Sequence, residues 1–286
     1  MKALRYLALV TLLLSLAWVP GALAMQQAEP LAPSSQWRID YQPAGCALSR
    51  HFGIGNGLAV VTVRPTTVFG PVDLVINSSA QWARGDRIQG RARVIPASGA
   101  PIAALYSNFE RIAGMDRTVD IHLSRADVPA LATAGTIAVE LNGKHALSIA
   151  PTGAAAAIKA LEACERDLAK TWGFDAERLA AVTVPAQPTG APIDFRLEPS
   201  DPDLRAAAVN KTVMVALLEV GVDGRITDCR MAVSAKIPRL EARACRLIVA
   251  RARYAPARGP DGSPVASQAA LPVEWGIPIT RISTTP

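Results

Sequence analysis

Three histidines, four cysteines and a short glycine-rich run are the residues whose chemistry could stand out in this 286-residue chain. His51, His122 and His145 are far apart, and none lies two or four residues from another, so local spacing builds no paired-histidine metal site. A solvated or hydrogen-bonded strand histidine is the simpler reading of each. Gly53, Gly55 and Gly57 look like a phosphate loop, yet the run lies between two strand-like segments and opens no helix. It therefore lacks the helix dipole and the row of N–H donors that a phosphate needs, and reads as a hairpin loop. No Gly-x-Ser-x-Gly elbow occurs and the acids are scattered, although a carboxylate pair assembled only by folding stays open. No catalytic residue, metal ligand or cofactor is assigned from these residues.

The cysteines carry more information. None belongs to a Cys-x-x-Cys pair, so neither a zinc site nor a thioredoxin-like redox motif has support. In an exported chain four cysteines imply disulfides, and four allow three pairings. Export itself is expected from residues 1–24. Lys2 and Arg5 precede an apolar run of about 13 residues, Leu7 to Val19, and then come Pro20, Gly21 and the small-residue exit Ala22, Leu23, Ala24. That run is short of the roughly 20 residues a spanning helix needs, so it reads as a cleaved signal peptide that leaves Met25 first in a periplasmic protein. An uncleaved inner-membrane anchor is the alternative.

Half of the residues are apolar, 19% are charged and 5% are aromatic, which places the chain among globular proteins with a real core. Thirty basic and 24 acidic residues give +6, and losing Lys2 and Arg5 lowers this to +4. So mild a balance, without clustered basic and aromatic residues, argues against nucleic acid as a partner. Arg239, Arg243, Arg246, Arg251 and Arg253 do make one segment basic. Weak contact with anionic envelope polymers and a plain solvated helix face are both open there.

These residues need elements to position them. From Trp37 to Ser148 the dominant period is two: Trp37, Ile39 and Tyr41 alternate with polar residues, as do Val119, Ile121 and Leu123, and apolar runs fill 58–63 and 72–76. Asn142-Gly143 between two such runs is a hairpin signal, because a type I′ turn wants positive φ at both central residues. Seven or eight strands predict a mainly-β domain over 34–175, a sandwich or open barrel. Its closing helix runs from Ala154 to about Thr171, with Gly173 as the stop, and Cys164 lies on that helix's apolar stripe. From there it can reach Cys46 on an opening strand. Residues 184–202 hold five prolines and no periodicity, and read as a semi-rigid linker spanning at most ~60 Å.

The last part, residues 203–280, predicts a small α+β domain of β-β-α-β order. Val213 to Val220 is a strand, Asp223-Gly224 a turn, Arg225 to Val233 the returning strand, about Pro238 to Ala252 a helix, and the segment ending at Trp275 a final strand. Covering the Cys229 face of the hairpin with the helix brings Cys245 to Cys229. Four pieces occur in order: Asp223, Gly224 and Arg225; Tyr254, Ala255, Pro256 and Ala257; Gly262, Ser263, Pro264 and Val265; and Val273, Glu274 and Trp275. Together they resemble the TonB C-terminal domain family over about residues 205–278. There are departures. Ser234, Ala235 and Lys236 stand where many members have Ser-Ser-Gly, Glu241 stands where they have Asp, and no Tyr-Pro segment precedes the first strand. The front region, with Trp37, Cys46 to Arg50 and its closing helix, looks like envelope domains that precede such modules in alphaproteobacteria.

The resemblance implies an interaction module that binds a protein partner by strand addition, such as an outer-membrane receptor peptide or another envelope protein, with a link to TonB-dependent transport. Its partner-binding residues would be Ser267, Gln268, Ala269, Ala270 and Leu271, an exposed edge strand. Pro272 removes one donor from that strand, so pairing is expected before it, unless the proline serves to block pairing altogether. The alternative function class is an envelope enzyme, or a wall- or lipid-binding protein, with its site in the front β-domain.

Overall fold

In the computed structural model, residues 29–78, 89–109, 117–189, 193, 195, 214–273 and 275 are described. The expected signal peptide and its cleavage point lie outside them, as do parts of the expected linker and of the two flanks of the C-terminal region. Alternating apolar residues build nine antiparallel strands: β1 (Arg38–Gln42), β2 (Gly45–Phe52), β3 (Ala59–Pro65), β4 (Val72–Ser78), β5 (Gln89–Pro96), β6 (Ile102–Phe109), β7 (Arg117–Leu123), β8 (Ile137–Leu141) and β9 (Lys144–Ile149). They form one curled sheet in the order β1-β2-β3-β4-β7-β6-β5-β8-β9. The molecule is mostly β, and a single curled sheet takes the place of the two stacked sheets of a sandwich.

Every second residue points inward, and Phe52, Val61, Ile76, Val94, Ile121 and Val139 are at most 2% exposed. Each such side chain contributes about 1.5–3 kcal/mol relative to exposure. Residues 31–34 draw the sheet's far ends together. Leu31 donates to Ser148 O (2.8 Å) and accepts from Ala150 N (3.1 Å), while Gly53 N donates to Ala32 O (2.8 Å). The hairpin between β8 and β9 turns at Asn142 (φ 51°) and Gly143 (φ 76°), as the dipeptide predicted.

Among the described residues of the front half, three α-helices occur: α1 (Val128–Thr133), α2 (Ala154–Trp172) and α3 (Ala176–Ala180). Gly173 ends α2 at φ 79° and bonds back to Ala169 and Lys170. The stripe Ala157, Leu161 and Cys164 covers Cys46 and Leu48 on β2, and Cys46 is bonded to Cys164 with Cα atoms 6.3 Å apart.

The remaining elements among the described residues are β10 (Gln187–Thr189), β11 (Met214–Val220), β12 (Ile226–Val233), α4 (Pro238–Arg251), β13 (Arg253–Ala255), β14 (Ala257–Arg258), β15 (Pro264–Val265) and β16 (Ser267–Val273). A three-stranded sheet has the order β12-β11-β16, and three short strands intervene between α4 and β16. Cys229 on β12 is bonded to Cys245 on α4. One face, with Met214, Ala216, Leu218 and Val220, packs beneath Ala244 and Ile248 of α4. The opposite face, with Val215 and Leu217, packs on Val68, Trp172 and Phe174 from the front half. Burial on both faces explains why β11 is continuously apolar from Met214 to Leu218 rather than alternating.

The described part of the expected linker is no free spacer. β10 pairs with β13 through Gln187 and Ala255, Val184 bridges Arg258, and Ala186 (8% exposed) belongs to the core beneath α4. Proline is compatible with this because β10 lies at the edge of a two-stranded ladder.

Gly224 joins two pieces of the motif series. A Cβ at this position would sit 1.9 Å from Tyr254 O, and Tyr254 N donates to Gly224 O (2.9 Å). With φ at 77°, the turn after β11 admits only glycine while β13 stays packed against it.

Candidate functional site

β11 is flanked on both sides, so β16 is left at one margin of its sheet, as the strand-addition expectation requires of position. Its register sets Ser267 opposite Val220, Gln268 opposite Glu219, Ala270 opposite Leu217 and Pro272 opposite Val215. In an antiparallel pair, alternate residues turn both N–H and C=O toward the partner. Ala270 O accepts from Thr67 Oγ1 (2.8 Å), a residue of the β3–β4 loop, so Ala270 faces away from β11. Gln268 and Pro272 share that parity. Pro272 therefore costs the ladder no donor, and the strand's outward side begins with Gln268.

Exposure is where the expectation fails. Ser267 and Ala270 are 3% and 2% exposed, and Gln268, Ala269 and Leu271 are half-buried. Ala269 and Leu271 turn toward the core beneath α4, whereas Ala270 packs with Val68, Trp172 and Phe174. Gln268 Nε2 donates to Glu219 Oε1 (2.7 Å), and Gln268 Oε1 accepts from Asp175 N (2.7 Å). Ser267 Oγ is buried without a hydrogen-bond partner among the described residues. The front half covers the strand because its loop and the end of α2 need an apolar surface as much as β11 does. Nothing in the sequence pattern of residues 267–273 reports this neighbour.

Along Ser267–Pro272 opens a cavity of about 820 Å³, within the ~300–1,000 Å³ usual for ligand clefts. Its other wall is the outward face of the curled sheet, where Asp40, Ser49, Thr62, Arg64, Asp73 and Asn77 look into it. Arg178 also lines it and is paired with Glu219 at 2.7 Å.

Next to this wall lies a charged group that spacing did not reveal. Asp73 on β4 stands between Arg64 on β3 and His122 on β7, each directly opposite in register. Asp73 accepts from Arg64 Nη2 (3.1 Å) and pairs with His122 Nδ1 (2.8 Å). This contact suits the imidazole tautomer with its proton on Nδ1 and with Nε2 as acceptor. Asp120, two residues before His122, is 3.7 Å from Arg64 Nη2, and its Oδ1 is buried with no partner among the described residues. Burial pushes the Asp120 carboxyl above the usual aspartate range; Arg64 opposes the shift and Asp73 adds to it. Asp73 and Asp120, which no sequence pattern singled out, thus share one arginine. A base oriented in this way activates a hydroxyl or thiol only within hydrogen-bond reach, and His122 has Asp73 as its hydrogen-bond partner. His51 and His145 are exposed, and no group of three metal-ligating side chains occurs among the described residues.

No protein-family model, curated protein or solved structure matches the chain. The TonB likeness stands on the four sequence pieces alone.

Proposed function

We propose that the chain is an exported envelope protein that binds an extended segment of a protein partner along β16. The supporting observation is the position of β16 at the margin of its sheet, with its outward side opening on the 820 Å³ cavity. A strand laid there would exchange main-chain hydrogen bonds with Gln268 and Ala270, while the cavity receives alternate side chains. On this reading residues 203–280 are a TonB C-terminal-like unit of β-β-α-β order, to which β13, β14 and β15 are additions. Residues 34–175 form a front unit that holds it. The module works in place rather than at the end of a reaching spacer, which favours a periplasmic scaffold or adaptor over an energy transducer. A receptor peptide of TonB-dependent transport is one partner of this chemistry, and no helix among the described residues is long and apolar enough to cross a membrane.

The test is photo-crosslinking in the full chain from the exposed Ala266, just outside β16, with Ala270→Pro as the control. Proline there removes an outward N–H without touching the ladder to β11. A protein adduct lost in the folded variant supports the reading; an undiminished adduct rejects β16 as the site. The second reading, an enzyme or ligand-binding site in the front unit, draws on the Asp73–His122 pair beside Arg64. A hydrolase and lipid-binding screen in which Asp73→Asn abolishes a signal would establish it.

A further inference from the structure

The β3–β4 loop sits on the strand edge that the proposed partner would use. Thr66 to Pro71 close a tight loop through Thr66 N to Pro71 O (2.8 Å) and Gly70 N to Thr67 O (3.0 Å). At its tip Thr67 Oγ1 donates to Ala270 O, and Val68 (7% exposed) packs on Ala270 and Leu217. Phe69 adopts φ 61°, a left-handed conformation that a bulky residue holds only under outside constraint.

Glu165 supplies that constraint. It projects from α2, is 1% exposed, and its Oε1 accepts from Phe69 N (2.9 Å) and from Arg125 Nη1 (3.1 Å). The second carboxylate oxygen is held by Arg125 Nη2. A buried charge is retained at a cost, and this one is saturated by a bidentate arginine and a loop amide. Its effect is to hold the loop against β16. The phenyl ring of Phe69 meets Phe174 edge-on at 6.3 Å, which adds a second anchor.

We infer that the Thr66–Pro71 loop is a built-in competitor for the β16 edge: Thr67 occupies the Ala270 carbonyl that an added strand would take, and Glu165 keeps it there. The inference rests on the strand-addition reading of β16. A partner must displace the loop to pair beyond Gln268, so the edge is guarded against unrelated strands and opens for a segment that supplies more contacts than Thr67 does.

The experiment uses the full chain with the crosslinker at Ala266 in three forms: wild type, Thr67→Val, which keeps the shape and removes the donor, and Thr67→Ser, which keeps the hydroxyl. Thr67→Val is expected to raise adduct yield roughly two- to twelve-fold, the equivalent of about 0.5–1.5 kcal/mol for one net hydrogen bond, with Thr67→Ser near wild type. Hydrogen exchange over residues 66–73 checks that the fold is kept and should quicken locally in Thr67→Val. Equal yields from wild type and Thr67→Val, with an adduct still sensitive to Ala270→Pro, would overturn the competitor while leaving strand addition intact. Absence of any adduct in all forms would overturn both.

Discussion

The nine-stranded sheet buries its apolar face by curling on itself beneath α2, whereas the three-stranded sheet needs a neighbour on each side: α4 on one, the β3–β4 loop and the end of α2 on the other. A sheet of three strands is too narrow to curl, so each of its faces must be covered from outside. The front half, through that loop and α2, thus supplies part of the small sheet's core. What the sequence presents as a separable module is a unit whose second face belongs to the front half.

The largest effect expected from testing this contrast comes from the disulfides. Replacing Cys46 and Cys164 by serine opens a loop of sequence separation 118, against 16 for Cys229 and Cys245. Chain entropy gives about 4–5 kcal/mol for the first and ~3 kcal/mol for the second. Denaturant titration of the two double variants should preserve that order, and a reversed order would mean that the small sheet draws little support from the front half.

Leu217→Ala tests the shared face directly. The side chain is 2% exposed between the three-stranded sheet and the end of α2, and its truncation should cost about 2–5 kcal/mol, the magnitude of a core cavity. A loss below ~1 kcal/mol would show that the two halves touch without supporting each other.

Arg230→Ala should act more gently. Its guanidinium on β12 donates to Trp172 O (3.3 Å) and Gly173 O (2.9 Å), carbonyls at the negative end of α2. Loss of about 1 kcal/mol is expected, with Arg230→Lys partly restoring it. Calorimetry would expose the opposite case, an unchanged transition, in which the two halves meet through apolar contact alone.

The smallest effect tests the charged group beside the cavity wall. Because the Asp120 carboxyl is raised in the folded state, folding holds its proton more tightly than the unfolded chain does. The resulting penalty is absent below the ordinary aspartate value of 3.8, grows as pH rises through it, and is complete above the folded value. Asp120→Asn should therefore raise the melting temperature at pH 7 and lose that advantage near pH 3. A variant less stable than wild type at pH 7 would show that Arg64 outweighs burial at this site.

Much of the architecture was legible, and the gaps have physical causes. Period-two alternation located most of the front strands, Asn142-Gly143 the last hairpin, Gly173 the end of α2, and both cysteine pairs followed from setting a strand face beneath a helix stripe. β5 and β6 escaped because arginines at 91 and 93 and alanines at 103 and 104 flatten the contrast between faces. The stretch 184–189 reads as a linker because its prolines mask a strand whose pairing partner is some 70 residues away in sequence. At the candidate site, the strand and its proline were visible, but the cover over it was not. Thr67, Glu165 and Ala270 are distant in sequence, and only the fold brings the loop, α2 and β16 together. The same holds for Arg64, Asp73, Asp120 and His122, which meet across three strands with no local spacing to announce them.

Both disulfides join neighbours in the order of the cysteines: first with second, third with fourth. A chain emerges from synthesis or translocation N-terminus first, so Cys46 is already present when Cys164 appears, while Cys229 and Cys245 have yet to follow. By the time Cys229 and Cys245 follow, that pair can already be closed, and the two newcomers have only each other. An oxidase that joins thiols as they arrive reaches the native connectivity directly, with no rearranging isomerase required. Exchanging the order of the two halves along the chain would keep this property, whereas inserting one half between the paired cysteines of the other would abolish it.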